Sequence, residues 1–100
     1  MTKMNKWELA EDPTLRRRMG KTGEELAELA AVVNRIQIQG LDAVDPGSGK
    51  TNRQRLQEEM ADVYAQLDTN LAVLGLDGPA ISDRVMEKQR QMHEWESLYR

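Results

Sequence analysis

Two short acidic clusters decide the reading of this chain: Glu24-Glu25-Leu26-Ala27-Glu28 and Glu58-Glu59-Met60-Ala61-Asp62. A turn-rich segment, Asp45-Pro46-Gly47-Ser48-Gly49-Lys50, lies between them. Side chains three or four apart share a helix face. The first cluster falls in an apolar series of Leu15, Met19, Leu26, Leu29, Val33 and Ile36, with Thr22 in register. The second falls in a series of Leu56, Met60, Val63, Leu67, Leu71 and Leu74. These series predict two amphipathic helices, each with its apolar stripe as core. A second stripe runs along one flank of each: Lys21, Glu25, Glu28, Val32, Arg35 and Gln39 on the first, Arg55, Glu59, Asp62 and Gln66 on the second.

At ~100° per residue both flanks lie on the same rotational side of their cores. Packing the helices antiparallel brings the two flanks out on one side of the pair. It also sets Glu28 level with Glu59 and Asp62. Glu25, Glu28, Glu59 and Asp62 are therefore expected to converge. Four such carboxylates repel one another and raise their pKa values unless a cation neutralises them. All-oxygen ligation selects a hard ion, Mg²⁺ or Mn²⁺. The competing reading is that both acidic faces are simply solvated.

A chain of 100 residues is expected to form one domain, 1–100. It is 39% hydrophobic and 31% charged with no Phe, which suits a helical bundle. The net charge of −3 does not suggest a nucleic-acid partner. No cysteine is present, which excludes a disulfide scaffold and a thiolate metal site. No apolar run suggests a leader or a membrane span. The chain is thus expected to be soluble and cytoplasmic, in the host cell if phage-encoded.

About four helices are expected. A short one over Met1–Glu11 would centre on Trp7, Leu9 and Ala10. Asp12-Pro13 starts a long helix to Gln39, with a break possible near Gly20, and Gly40 ends it. Leu41–Thr51 reads as a loop, Asn52 as the cap of a helix from Arg53 to Leu74, and Gly75 as its terminator. The last helix runs from Ala80 to Leu98, with Ile81, Val85, Met92 and Trp95 on one face and Lys88 among them. Such a lysine either snorkels outward or meets a buried anion.

Other motifs weigh less. Arg16-Arg17-Arg18 reads as a solvated face. Gly49-Lys50-Thr51 is no P-loop, because Val44 stands where glycine is required and a helix precedes it. Lys50, Asn52 and Arg53 sit where the loop enters the second acidic helix. They would contact phosphate or base there, or else be a flexible loop with a capping asparagine. His93, the only histidine, reads as an exposed residue near a helix end.

The pattern Glu24-Glu25-x-x-Glu28 followed by Glu59-x-x-Asp62 resembles the signature of the MazG-like all-α nucleoside triphosphate pyrophosphohydrolases. Their relatives include dUTP and dCTP pyrophosphatases and phosphoribosyl-ATP pyrophosphohydrolase. Arg35, Gln39-Gly40, Asp45-Pro46, Gly49-Lys50 and Asn52-Arg53 are similar to a small subgroup common in phages and prophages. The resemblance spans about Lys21 to Asp77. It implies Mg²⁺-dependent conversion of a (deoxy)nucleoside triphosphate to the monophosphate and pyrophosphate. Glu25, Glu28, Glu59 and Asp62 would be metal ligands, and Glu24 with Glu25 would be the catalytic acids. Lys21, Arg35, Lys50, Asn52, Arg53 and Lys88 would be the substrate-binding set, Lys88 facing the phosphates from the last helix. A homodimer or homotetramer is expected. The alternatives are a non-enzymatic helical dimer acting as adaptor or regulator, and phosphoribosyl-ATP hydrolysis.

Overall fold

The computed structural model describes residues 8–98, and these are all-helical: α1 is Pro13–Gln39, α2 is Asn52–Val73 and α3 is Gly78–Ser97. The expected helix over Met1–Glu11 falls mostly outside the described residues. Its described end, from Glu8 to Glu11, is not helical.

Local signals set the helix ends. The Asp12 carboxylate accepts from the Thr14 amide at 2.9 Å, and Pro13 fills the first turn. α1 runs unbroken through Gly20 and Gly23 to Gly40, whose φ of 82° only glycine adopts readily. Thr51, not Asn52, caps α2. Its hydroxyl accepts from the Gln54 amide at 3.1 Å, while the Gln54 side chain accepts from the Thr51 amide at 2.9 Å. This reciprocal pair is a capping box, and it frees Asn52 for another task. α2 closes with the Leu76 amide donating to Leu71 and the Gly75 amide to Ala72, a Schellman arrangement around Gly75 at φ 63°. Asp77 caps α3 through the Ala80 amide at 3.0 Å.

α1 and α2 pack antiparallel, since Arg18 meets Asn70 while Gln39 meets Asn52. The seam between them differs from the expected apolar stripe. Its buried positions are Thr22, Val32, Asn52, Val63 and Asn70, with Glu25, Glu59 and Gln66 half-buried. Leu26 and Leu67, expected in the core, are 46% and 49% exposed. Each helix is rotated so that Glu25 and Val32, and Glu59 and Gln66, of the flanking stripes enter the seam and part of the apolar stripe turns outward. Hydrogen bonding supplies the reason. Arg18, read as part of a solvated run, turns inward and donates to Asn70 Oδ1 and Gln66 Oε1, both at 3.0 Å. Asn70 Nδ2 donates to the Thr22 hydroxyl at 2.7 Å, which donates to the Arg18 carbonyl at 2.8 Å. Polar groups taken out of water must find such partners, so the network fixes which faces meet.

The connection between α1 and α2 is ordered. Val44 bridges Thr51, the Asp45 amide donates to the Lys50 carbonyl at 2.8 Å, and the Gly49 amide donates to the Asp45 carbonyl at 2.8 Å. Buried Asn52 holds this end together. Its side-chain amide donates to the Gly40 carbonyl at 3.0 Å and to Gln39 Oε1 at 3.2 Å.

α3 stands apart and has no buried residue. Ile81, Val85, Met92 and Trp95 are all exposed, Trp95 by 60%. The radius of gyration is 17.5 Å, against about 13 Å for a compact chain of 100 residues. No helix among the described residues is long and apolar enough to cross a membrane.

Removing the Asn70 side chain takes the donor from the Thr22 hydroxyl and the acceptor from Arg18 Nε. Asn70→Ala is expected to lower unfolding stability by about 1–3 kcal/mol. Chemical denaturation with an unchanged m-value would check it, and a loss below measurement error would show that the network does not hold the seam.

Candidate metal centre

The centre lies midway along the α1–α2 seam. Glu25 is one turn from Thr22 on α1, and Glu59 is one turn before Val63 on α2. Both backbones are held by the buried neighbours, so the two carboxylates face each other across the pair. Asp62 reaches in from the exposed edge of α2. One carboxylate oxygen from each of Glu25, Glu59 and Asp62 lies within 4.8 Å of the others.

The electrostatics are unbalanced. The Glu25 side chain is only 12% exposed. Glu25 Oε2 and Glu59 Oε2 are buried and have no hydrogen-bond partner. A buried carboxylate oxygen without a donor is costly, and two of them beside a third carboxylate invite a cation. The donor set is all oxygen, which fits Mg²⁺ or Mn²⁺. Lys21 gives partial relief, with its Nζ 3.4 Å from Glu25 Oε1 and 3.5 Å from Glu24 Oε2. The lysine pKa is raised, chiefly by its hydrogen bond to Glu25. Lys21 thus serves the carboxylates in this structure.

Glu28 stands beside the cluster. It is exposed and outside the converging three. Its carboxyl is nonetheless pushed above the ordinary glutamate range, first by the charge of Glu25, then by partial desolvation and by Glu59. Glu24 is exposed on the outer side, paired with Lys21.

The expected substrate-binding residues are not brought together. Lys50 Nζ holds both oxygens of Glu58 at 2.9 Å, and Arg53 Nε holds Asp42 Oδ1 at 3.1 Å. These exposed pairs brace the connection to α2 and are each worth about 0–1 kcal/mol. Asn52, 1% exposed, is a strut between helix ends and not a surface contact. Lys88 is exposed on α3 and makes no ion pair among the described residues. Arg35 lies nearest the centre in kind. It follows Glu28 on the same flank of α1, and its Nη1 is 3.7 Å from Asp45 Oδ1.

Sequence reasoning passed over Arg55. It was placed on the flank with Glu59 and Asp62 but given no role, although its position one turn before Glu59 was the available signal. Asp45 reads in the sequence as a turn residue and as part of the Asp45-Pro46 match to the subgroup, without a role in the site. Its carboxyl is held below the ordinary aspartate range, first by hydrogen bonds from Ser48 and then by the charges of Arg55 and Arg35.

No family model, no curated protein and no solved structure matches this chain.

The raised Glu28 carboxyl has a definite sign. A folded-state pKa above the unfolded value favours folding while the group is protonated, and that contribution is lost as pH rises through the folded pKa. In metal-free buffer, the melting temperature of Glu28→Gln minus that of the parent chain should therefore increase as pH rises through and above the ordinary glutamate range. A flat difference across that window would show that Glu28 does not feel Glu25 and Glu59.

Proposed function

We propose that the chain is a metal-dependent nucleoside triphosphate pyrophosphohydrolase, which cleaves a (deoxy)nucleoside triphosphate to the monophosphate and pyrophosphate. One observation carries this reading. Three carboxylates converge within 4.8 Å, and two of their oxygens are buried with no donor. That arrangement fits a cation site better than a solvated acidic face. The MazG-like motif gives the reaction its form.

Glu25, Glu59 and Asp62 would hold Mg²⁺ or Mn²⁺, with Glu28 beside them as a fourth ligand. Bound there, the ion would offset phosphate charge and make a water molecule more acidic. Glu24, or Glu28 where it is not a ligand, would accept that water's proton. Lys21 would leave Glu25 as the cation arrives and face the phosphates instead. Arg35 approaches the same side of the pair from the end nearest the connecting segment. Lys88 would require α3 of another copy or a different α3 position to take part.

The assembly belongs to the same reading. Met19, Leu26 and Val33 of α1, with Met60 and Leu67 of α2, are exposed on the side of the pair opposite Glu28 and Asp62. The apolar face of α3 is uncovered too. A second copy covering these surfaces gives a homodimer or homotetramer. Light scattering at micromolar concentration should then give at least twice the chain mass of 11.4 kDa. A monomer under those conditions would refute the assembly.

The reaction itself is tested with a panel of ribo- and deoxynucleoside triphosphates and Mg²⁺. Pyrophosphate and monophosphate should appear in equal amounts, and Glu59→Gln should abolish both. Mn²⁺ should raise the melting temperature of the parent chain and not of Glu59→Gln. No metal shift and no turnover would favour a helical adaptor. A metal shift without turnover on the panel would move the substrate toward phosphoribosyl-ATP.

A further inference from the structure

Arg55 places a guanidinium beside the acidic cluster without an ion pair within 4.0 Å among the described residues. It is half-buried, and its Nη1 is out of contact with solvent without a hydrogen-bond partner. Every other described arginine has a side-chain hydrogen bond or an ion pair: Arg16, Arg17 and Arg18, then Arg35, Arg53, Arg84 and Arg90. A guanidinium has five donors and cannot lose its charge. Leaving the Nη1 donors unmatched and out of water disfavours the free chain unless an anion completes the site.

The surroundings indicate which anion. Arg55 shares its flank with Glu59 and Asp62, and lies ~6 Å along the axis from Glu59 at 1.5 Å per residue. Arg35 lies on the matching flank of α1, ~10 Å along the axis from Glu28 by the same rise. Because the helices are antiparallel, both arginines fall toward the connecting segment, on one side of the carboxylates. Asp45 stands there as well. Its Oδ1 is 3.7 Å from Arg35 Nη1, and its neighbour Val44 bridges Thr51, whose carbonyl accepts from the Arg55 amide at 3.1 Å. Asp45 Oδ2 is occupied separately, accepting from the Ser48 amide at 2.9 Å. The Asp45 carboxylate, half committed to its own turn, pairs with the Arg35 guanidinium and leaves Arg55 Nη1 unmatched. A phosphate group has more acceptor oxygens and more charge, and matches two forks better.

We propose that Arg55 and Arg35 form a guanidinium pair that binds a phosphate group of the nucleotide, and that Asp45 is the internal carboxylate which this phosphate displaces. The proposal rests on the pyrophosphohydrolase reading for the identity of the ligand. It assigns Arg55 a substrate-binding role and gives the Asp45 turn a competitive one. The carboxylate cluster then takes one part of the triphosphate through its cation, and the guanidinium pair takes another. Asp45 weakens binding of bare phosphates and offsets part of the charge of the pair between turnovers.

The test uses inorganic tripolyphosphate in EDTA, so that neither metal nor turnover is needed. Titration calorimetry on the full chain should show binding that weakens roughly tenfold or more in Arg55→Gln, the loss expected for one charged hydrogen-bond partner. Asp45→Asn should bind several-fold more tightly than the parent. Its amide oxygen can still accept from Ser48, so the turn survives while the competing charge is gone. A misfolded variant cannot produce that gain. Equal affinity of Arg55→Gln and the parent would overturn the proposal, as would absence of metal-free binding at millimolar tripolyphosphate. Asp45→Asn binding no tighter than the parent would overturn the displacement. Tripolyphosphate binding with no pyrophosphate released from any nucleotide would sink the reaction assigned above and leave the guanidinium pair standing.

Discussion

Two like charges meet inside a helix seam, and the rest of the structure is arranged around that conflict. Glu25 and Glu59 occupy positions where a two-helix contact would gain most from apolar side chains. Burying both costs stability in the absence of a counter-charge. What keeps them together lies on either side. At one end Arg18, Thr22, Gln66 and Asn70 form a closed polar network. At the other, Asn52 ties the end of α1 to the start of α2. Each is directional, so each sets register and rotation, which a purely apolar contact does loosely. Between these clamps the acidic residues have nowhere else to point. The connecting segment adds to the second clamp, since its backbone bonds draw Ala43 and Leu41 onto the first residues of α2.

The elements of this fold were legible in the sequence because their ends are local. Asp12-Pro13, Gly40 and Gly75 each act through backbone conformation or one capping bond within a few residues. The site was legible in part for a related reason. Acidic residues at i and i+3 must share a face, and antiparallel packing must bring two such faces to one side. That argument brings four carboxylates together, of which Glu25, Glu59 and Asp62 lie within 4.8 Å of one another and Glu28 stands outside. What it misjudged was rotation. Taking the apolar stripe as the seam puts Thr22 and Val63 inside, as they are, but also Leu26 and Leu67, whereas Val32, Asn52 and Asn70 are inside instead. The decision is made by hydrogen bonds between residues some fifty positions apart, such as Arg18 to Asn70. No single-helix pattern encodes it. Asn52 illustrates the same gap. The residue was recognised as meaningful, but with Thr51 as the cap its amide is released to bind α1.

That rotation also separates two surfaces. Positions 19, 26 and 33 of α1 sit clockwise of the seam if 21, 28 and 35 sit anticlockwise. α2 has the same internal order, with 60 and 67 on one side and 55 and 62 on the other. Running it antiparallel reverses its sense, so the two apolar flanks emerge together and the two charged flanks emerge opposite them. A polar seam and an exposed apolar flank are therefore one fact seen from two sides. Had the apolar stripes formed the seam, the carboxylates would have remained on a solvated rim, with no buried oxygen lacking a donor.

The charged side is itself ordered along its length. Toward the Thr22 end, Lys21 meets Glu24 and Glu25. The carboxylate cluster follows, and beyond it Arg35, Arg55 and Asp45 lie next to the connecting segment. A surface meant only for solubility gains nothing from grading charge in this way, because interspersed pairs serve as well. A surface that must hold an extended polyanion at fixed register gains a great deal, since a cation site and a guanidinium pair at a set spacing select both the number of anionic groups and their direction. The spacing is set by helix rise, and the helix rise is held by the two polar clamps. Under the proposed function, recognition on this side would therefore depend on bonds such as Asn70 to Thr22, which a ligand there need not touch.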